Sequence, residues 1–179
     1  MKRFFYAAAV LMSISWMACS GNKPDAQEPP LPQGMKSIHL DHLGFPLNIY
    51  IPDSTYYPTV DTSEVPGGAE IKIGSHFDIL VNTAGAEESD ITKMKSVIEA
   101  GDELPKTFTV TDSTTLVWST NLGDLSMFHF FMIRKVGKDT YYVRDNMDNP
   151  DNQFKKEEID KMMETAKTLH ADPRFAPKS

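Results

Sequence analysis

Residues 71–81 read IKIGSHFDILV, and their pattern decides the fold. Ile71 and Ile73 flank Lys72, and Phe77, Ile79 and Val81 then recur at every second position. A period of two places alternate side chains on one face of a strand, so the stretch holds two strands with a common buried face. Gly74-Ser75 between them predicts a two-residue hairpin, because glycine takes the positive φ that such a turn requires. The two strands therefore pair antiparallel.

The same pattern extends outward. Leu47, Ile49 and Ile51 make an upstream strand closed by Pro52. Residues 106–110, 114–120 with Leu116 and Trp118, and 140–144 are further strands, and the apolar run 127–133, MFHFFMI, reads as the central one. Two segments have helical spacing instead. Ile91, Met94, Val97 and Ile98 form one stripe, with Ser89 as its cap and Gly101 as its stop. Ile159, Met162, Met163, Ala166 and Leu169 form the other, with Asp151 or Asn152 as its cap. This order lacks the strict strand–helix alternation of a parallel sheet. The expected fold is α+β: an antiparallel sheet of about six strands, packed by two main helices that each cover one face.

The chain has 179 residues, of which 40% are hydrophobic and 24% charged, enough for one ordinary domain and too few for two. Its one cysteine excludes an internal disulfide and a cysteine-rich zinc site. A net charge of -7 with no basic patch argues against nucleic acid as a partner.

That cysteine ends an apolar run. Lys2 and Arg3 precede residues 4–17, which Ser13 and Ser15 interrupt and which are too short to span a bilayer comfortably. An ordinary secretory cut after Ala18 would put bulky Trp16 where a small residue is needed. Trp16-Met17-Ala18-Cys19 instead resembles a bacterial lipobox, in which the cysteine is lipidated and becomes the new N-terminus. Residues 1–18 are then a lipoprotein signal peptide, and 19–36, with Pro24, Pro29, Pro30 and Pro32, carry lipidated Cys19 and a Pro-rich tether. Residues 37–172 are a single domain and 173–179 a C-terminal tail. Ser20 stands where an aspartate retains many lipoproteins at the inner membrane, so the expected place is the outer membrane, facing the periplasm.

Leu40-Asp41-His42-Leu43-Gly44-Phe45, leading to a strand that ends at Pro52-Asp53, resembles the opening of the PsbP-like family. There a glycine–aromatic pair starts a strand that ends in proline; Gly44, Phe45 and Pro52 carry the motif, and the order of elements matches over most of residues 38–169. The resemblance implies a sandwich of antiparallel sheet between helices, in proteins that mostly act by binding or assembly.

Candidate chemistry is sparse. Residues 78–85, DILVNTAG, are similar to a strand-and-loop motif of short-chain dehydrogenases, yet no glycine-rich turn lies upstream and no tyrosine precedes a lysine by four. His39, Asp41 and His42 cannot all converge from an extended segment, and His129, inside an apolar run, reads as a core histidine with its ring nitrogen satisfied. Glu87-Glu88 and Glu157-Glu158 fit helix starts, and Met94, Met162 and Met163 fit the helical stripes. Residues 145–152, DNMDNPDN, supply the hard oxygens calcium prefers, which makes Asp145, Asp148 and Asp151 the metal candidates; the same residue types also build turns and caps. Tyr56 and Tyr57, in a long loop that also holds Pro66-Gly67-Gly68, are candidates for a binding rim. The expected function is a membrane-anchored, non-enzymatic binding or assembly module of a bacterial envelope, with a calcium-responsive domain as the alternative.

Overall fold

The computed structural model describes residues 28–63, 67–101 and 104–175; Cys19, the signal segment and the first part of the expected tether lie outside them. The chain order is β1 (Met35–His39), β2 (Leu47–Pro52), β3 (Thr59–Thr62), β4 (Gly68–Lys72), β5 (Asp78–Thr83), α1 (Ile91–Ala100) and β6 (Lys106–Thr111). It continues through β7 (Thr115–Leu122), β8 (Leu125–Val136), β9 (Asp139–Asp145), α2 (Lys156–Lys167) and β10 (His170–Ala171). The fold is α+β. Its strands form two antiparallel sheets, a small one in the order β1-β2-β10 and a large one in the order β3-β4-β5-β9-β8-β7-β6.

The central strands of the large sheet are buried on both faces. Val117, Phe130, Met132 and Val143 point to one side, where they join Ile159, Met162, Ala166 and Leu169 of the α2 region and Leu47, Ile49 and Ile51 of β2 in the main core. Leu116, Trp118 and Phe131, one residue out of phase, point to the other side and meet Ile98 of α1. Period-two alternation thus divides the continuous apolar runs of β7 and β8 between two cores. Each helix covers one face, as the stripes predict.

Several expectations need correction. One sheet of about six strands becomes two sheets, because β2 pairs with β1 and β10 and not with the other expected strands, and β1, β3 and β10 are themselves strands of weak apolar pattern. β3 has the burial of an edge, with three of its four residues exposed. The midpoint of the large sheet is β9, and β8, which contains residues 127–133, lies beside it. The β4–β5 turn is one residue longer than expected: the Ile73 N–H donates to the Phe77 carbonyl at 2.8 Å, so Gly74, Ser75 and His76 all turn, with Gly74 at φ +60°. Asp90, not Ser89, caps α1 by accepting from the N–H groups of Thr92 and Lys93. Neither Asp151 nor Asn152 caps α2; the Lys155 N–H donates to Glu158 at 2.8 Å, the reciprocal half of a capping box.

The domain edges also move. Met35 pairs with Pro52 in the β1–β2 ladder, the Asp53 N–H donates to the Gly34 carbonyl at 2.8 Å, and the Tyr50 hydroxyl donates to the Pro29 carbonyl. The last part of the segment 19–36 therefore packs on the small sheet. At the other end Pro173–Phe175 make a 3-10 turn, and Arg174 reaches Asp172 and, at 3.1 Å, Asp41. The expected tail thus begins inside the fold.

Candidate functional site

A groove runs between α1 and the face of the large sheet it covers. Met94, Val97 and Ile98 of α1 form one wall, and Trp118, Phe131 and Tyr142 of β7, β8 and β9 form the floor of a cavity of about 320 Å³. Ile98 is the buried residue of α1, while Val97 stays 45% exposed. A second hollow of about 170 Å³ shares Trp118 and Met147 with the first and continues past Thr120, Met127 and Leu104. Beyond it the same face carries Leu122 and Leu125, exposed at the tip of the β7–β8 hairpin and paired with one another.

The groove's polar groups are few and specific. The Trp118 indole N–H is buried and has no hydrogen-bond partner among the described residues. Such a donor is costly to leave unpaired, by about 1–3 kcal/mol. Burial pushes the Tyr142 hydroxyl above its ordinary range; Arg144 works against that rise, and Glu88 and Asp148 add to it. The Arg144 guanidinium, whose side chain is 15% exposed, donates to Asp148, whose side chain is 63% exposed, at 2.5 Å. Glu88 is turned to the chain beside α1, where it accepts from the Gly85 N–H at 3.0 Å.

The segment 145–152 borders this groove, but its acids do not converge. Asp145 is fully buried: Oδ2 accepts from His129 Nδ1 at 2.8 Å and Oδ1 from the Phe130 N–H at 2.8 Å. A carboxylate only accepts, so the His129 proton sits on Nδ1 in this contact. His129 is thus the satisfied core histidine expected, although its partner is one of the calcium candidates. Asp148 pairs with Arg144, and Asp151 is exposed, its N–H donating to Asn149. No group of three metal-ligating side chains occurs among the described residues. The amides of the segment turn elsewhere. Asn152 donates to Asp78 Oδ2 at 2.9 Å, and Asn146 bridges Glu70 and Asp78 at 3.3 and 3.4 Å. Burial and the neighbouring Asp78 together raise the Glu70 carboxyl.

Tyr56 and Tyr57 part company. Tyr56 leans over the Gly74 turn and borders a hollow of about 300 Å³ with Ile73, Phe77 and Lys161, while Tyr57 is 94% exposed. His39, Asp41 and His42 are also separated, since residues 41–43 bend into a 3-10 helix. The Asn48 amide nitrogen faces His39 Nδ1 and Asp172 Oδ2, and Asp41 faces Arg174. Glu157 and Glu158 lie in the first turn of α2, with Glu158 also meeting His76 at 2.7 Å. Met162 is core as expected, but Met94 lines the groove.

The chain matches no protein-family model, no curated protein and no solved structure. The groove residues Trp118, Phe131, Tyr142 and Arg144 were not singled out as a site in the sequence. The signal was the phase of β7 and β8: Trp118 and Phe131 require cover on a face for which α1 offers only a short stripe.

Proposed function

We propose that this is a lipid-anchored bacterial envelope protein whose folded domain is a non-catalytic binding module with its site in the groove under α1. The observation that carries the reading is the cavity beside Trp118: an apolar hollow of about 320 Å³ floored by the buried rings of Trp118 and Phe131. Pockets that take small molecules are of this kind, apolar with a few convergent polar groups. The anchor rests on Cys19 at the end of the apolar leader, in an outer membrane facing the periplasm; several acyl chains, at about 0.8 kcal/mol per buried methylene, hold such a domain without a spanning helix. Among the described residues no helix is long and apolar enough to cross a membrane. The finer PsbP-like arrangement is part of the same proposal; small and large sheets with helices on both faces support it.

Intact-mass spectrometry of the membrane-extracted protein tests the anchor. The expected wild-type mass lacks residues 1–18 and gains acyl chains, and Cys19→Ala abolishes both changes. An unlipidated wild-type product sinks the localisation. Pull-down from native membranes tests the module, which fails if no ligand or partner returns reproducibly.

A calcium-responsive domain is the second reading, favoured by one observation. Asp78 Oδ1 is buried without a partner among the described residues, beside Asn146 and Asn152 of the segment 145–152. On this reading Asp78 and Glu70 replace Asp148 and Asp151 as the carboxylates that matter. Calorimetry with millimolar calcium that shows neither heat nor a shift in melting temperature removes it.

A further inference from the structure

We infer that the groove under α1 takes a medium-chain carboxylic acid, its carboxylate on Arg144 and its apolar body against Trp118; the inference rests on the binding-module reading above. Arg144 is held in β9 and mostly buried, whereas its partner Asp148 is exposed on the segment that follows. A guanidinium fixed in a sheet with its anion on an exposed segment is built for exchange of the anion. Asp148 thus occupies the place of the ligand's carboxylate when the groove is empty of ligand. The rest of the groove selects the body. Met94, Val97, Ile98, Phe131 and Met147 present apolar surface, and the methionines adapt to irregular shapes. A peptide would bring a backbone donor and acceptor at every residue against the apolar walls, whereas an acyl chain needs no hydrogen-bond partner there. A dry cavity of about 150 Å³ accommodates the six carbons of benzene, so about 320 Å³ suits roughly a dozen carbons.

The test uses the chain from residue 19 onward carrying Cys19→Ala, in which Trp118 is the one tryptophan, and follows its emission on titration with dodecanoate. Saturable binding in the micromolar range is expected, weakening about fourfold for each methylene removed on the way to hexanoate. Arg144→Gln should weaken dodecanoate by about tenfold or more. Asp148→Asn, at an exposed position that leaves folding intact, should strengthen it severalfold, because the competing carboxylate is gone. A purely structural Arg144–Asp148 pair predicts no gain in the Asp148→Asn protein, and that result overturns the inference even if Arg144→Gln fails to fold. Dodecan-1-ol binding as tightly as dodecanoate also overturns it. If an anilinonaphthalene sulfonate binds and shifts Trp118 emission while dodecanoate does not, the acid is wrong and the binding-module reading stands. If neither probe binds, both fall.

Discussion

α1 and α2 lie on opposite faces of one sheet, and the sheet treats them differently. Under α2, Ile159, Met162 and Ala166 are fully buried and join the strands of both sheets in one core. Under α1, Ile98 alone of its helix is buried, and Met94 and Val97 border an open hollow. Both helices are well started, one by Asp90 and the other by Glu158. The difference therefore lies in packing and not in helix formation: the middle of α2 is sealed into the core, whereas α1 stands over a hollow that holds an unpaired indole N–H and the Arg144–Asp148 ion pair.

The seam between the two faces should give the largest effect. Asp145 accepts from His129, which stands on the α1 side beside Trp118, and from the Phe130 backbone. Asp145→Ala leaves both donors buried without an acceptor, a loss of about 3 kcal/mol in urea unfolding. A change below about 1 kcal/mol would mean that water reaches the pair through the neighbouring hollow, and the two faces would not be separate.

Next comes a direct comparison of two methionines. Met162→Ala opens a cavity in a filled core and should cost about 2–5 kcal/mol. Met94→Ala widens a hollow that already exists and adds a strong helix former, so its cost should be about 1 kcal/mol or less. Equal losses in the two proteins would show that the α1 face is as tightly packed as the other.

How far the sequence showed this division follows from the same residues. The strands of the hairpin and β2 were legible because their apolar positions recur every second residue, β7 to β9 because they are apolar or rich in aromatic and β-branched residues, and both helices because their apolar positions recur at helical spacing. β3 and β10 were not: an exposed edge strand and a two-residue strand are held by ladder hydrogen bonds to neighbours, which leave no periodic mark. The site was legible only as ingredients. Trp118, Phe131, Met94 and Arg144 come from four elements, and composition says nothing of whether their side chains meet closely or leave a gap. The acids of the segment 145–152 looked like a set because they are neighbours in the chain; the strand end and the turn send them to three different partners or surfaces.

The acid limb of stability should be smaller and belongs to the small sheet. Arg174 holds the buried Asp172 carboxyl down from an ordinary value near 3.8 to about 2. A carboxyl lowered in the folded state stabilises it above the unfolded value, and that contribution is lost as pH falls from about 3.8 through about 2. Because the Arg174 side chain is half exposed, solvent screens the pair, and its contribution should be the smaller for it. Arg174→Gln should therefore flatten the stability difference between pH 5 and pH 2 while leaving dodecanoate binding unchanged. An altered affinity would couple the small sheet to the groove across the sheet that separates them.

The smallest expected change in stability is the most informative about the groove. Val97 is half exposed on α1 and lines the larger cavity, so Val97→Phe adds volume where space already exists. In a filled core such an enlargement forces strained rotamers, at about 1–3 kcal/mol. Over the hollow it should shift stability by only about 0.5 kcal/mol in either direction, because phenylalanine and valine have similar helix propensities and the apolar area gained is offset by the ordering of a larger, part-exposed side chain. The same substitution should weaken dodecanoate by an order of magnitude by occupying the volume its chain needs. A large loss of stability would show the hollow to be too narrow for a ring, and hence for an acyl chain. Unchanged affinity alongside unchanged stability would place the ligand elsewhere and leave the open face under α1 without its proposed use.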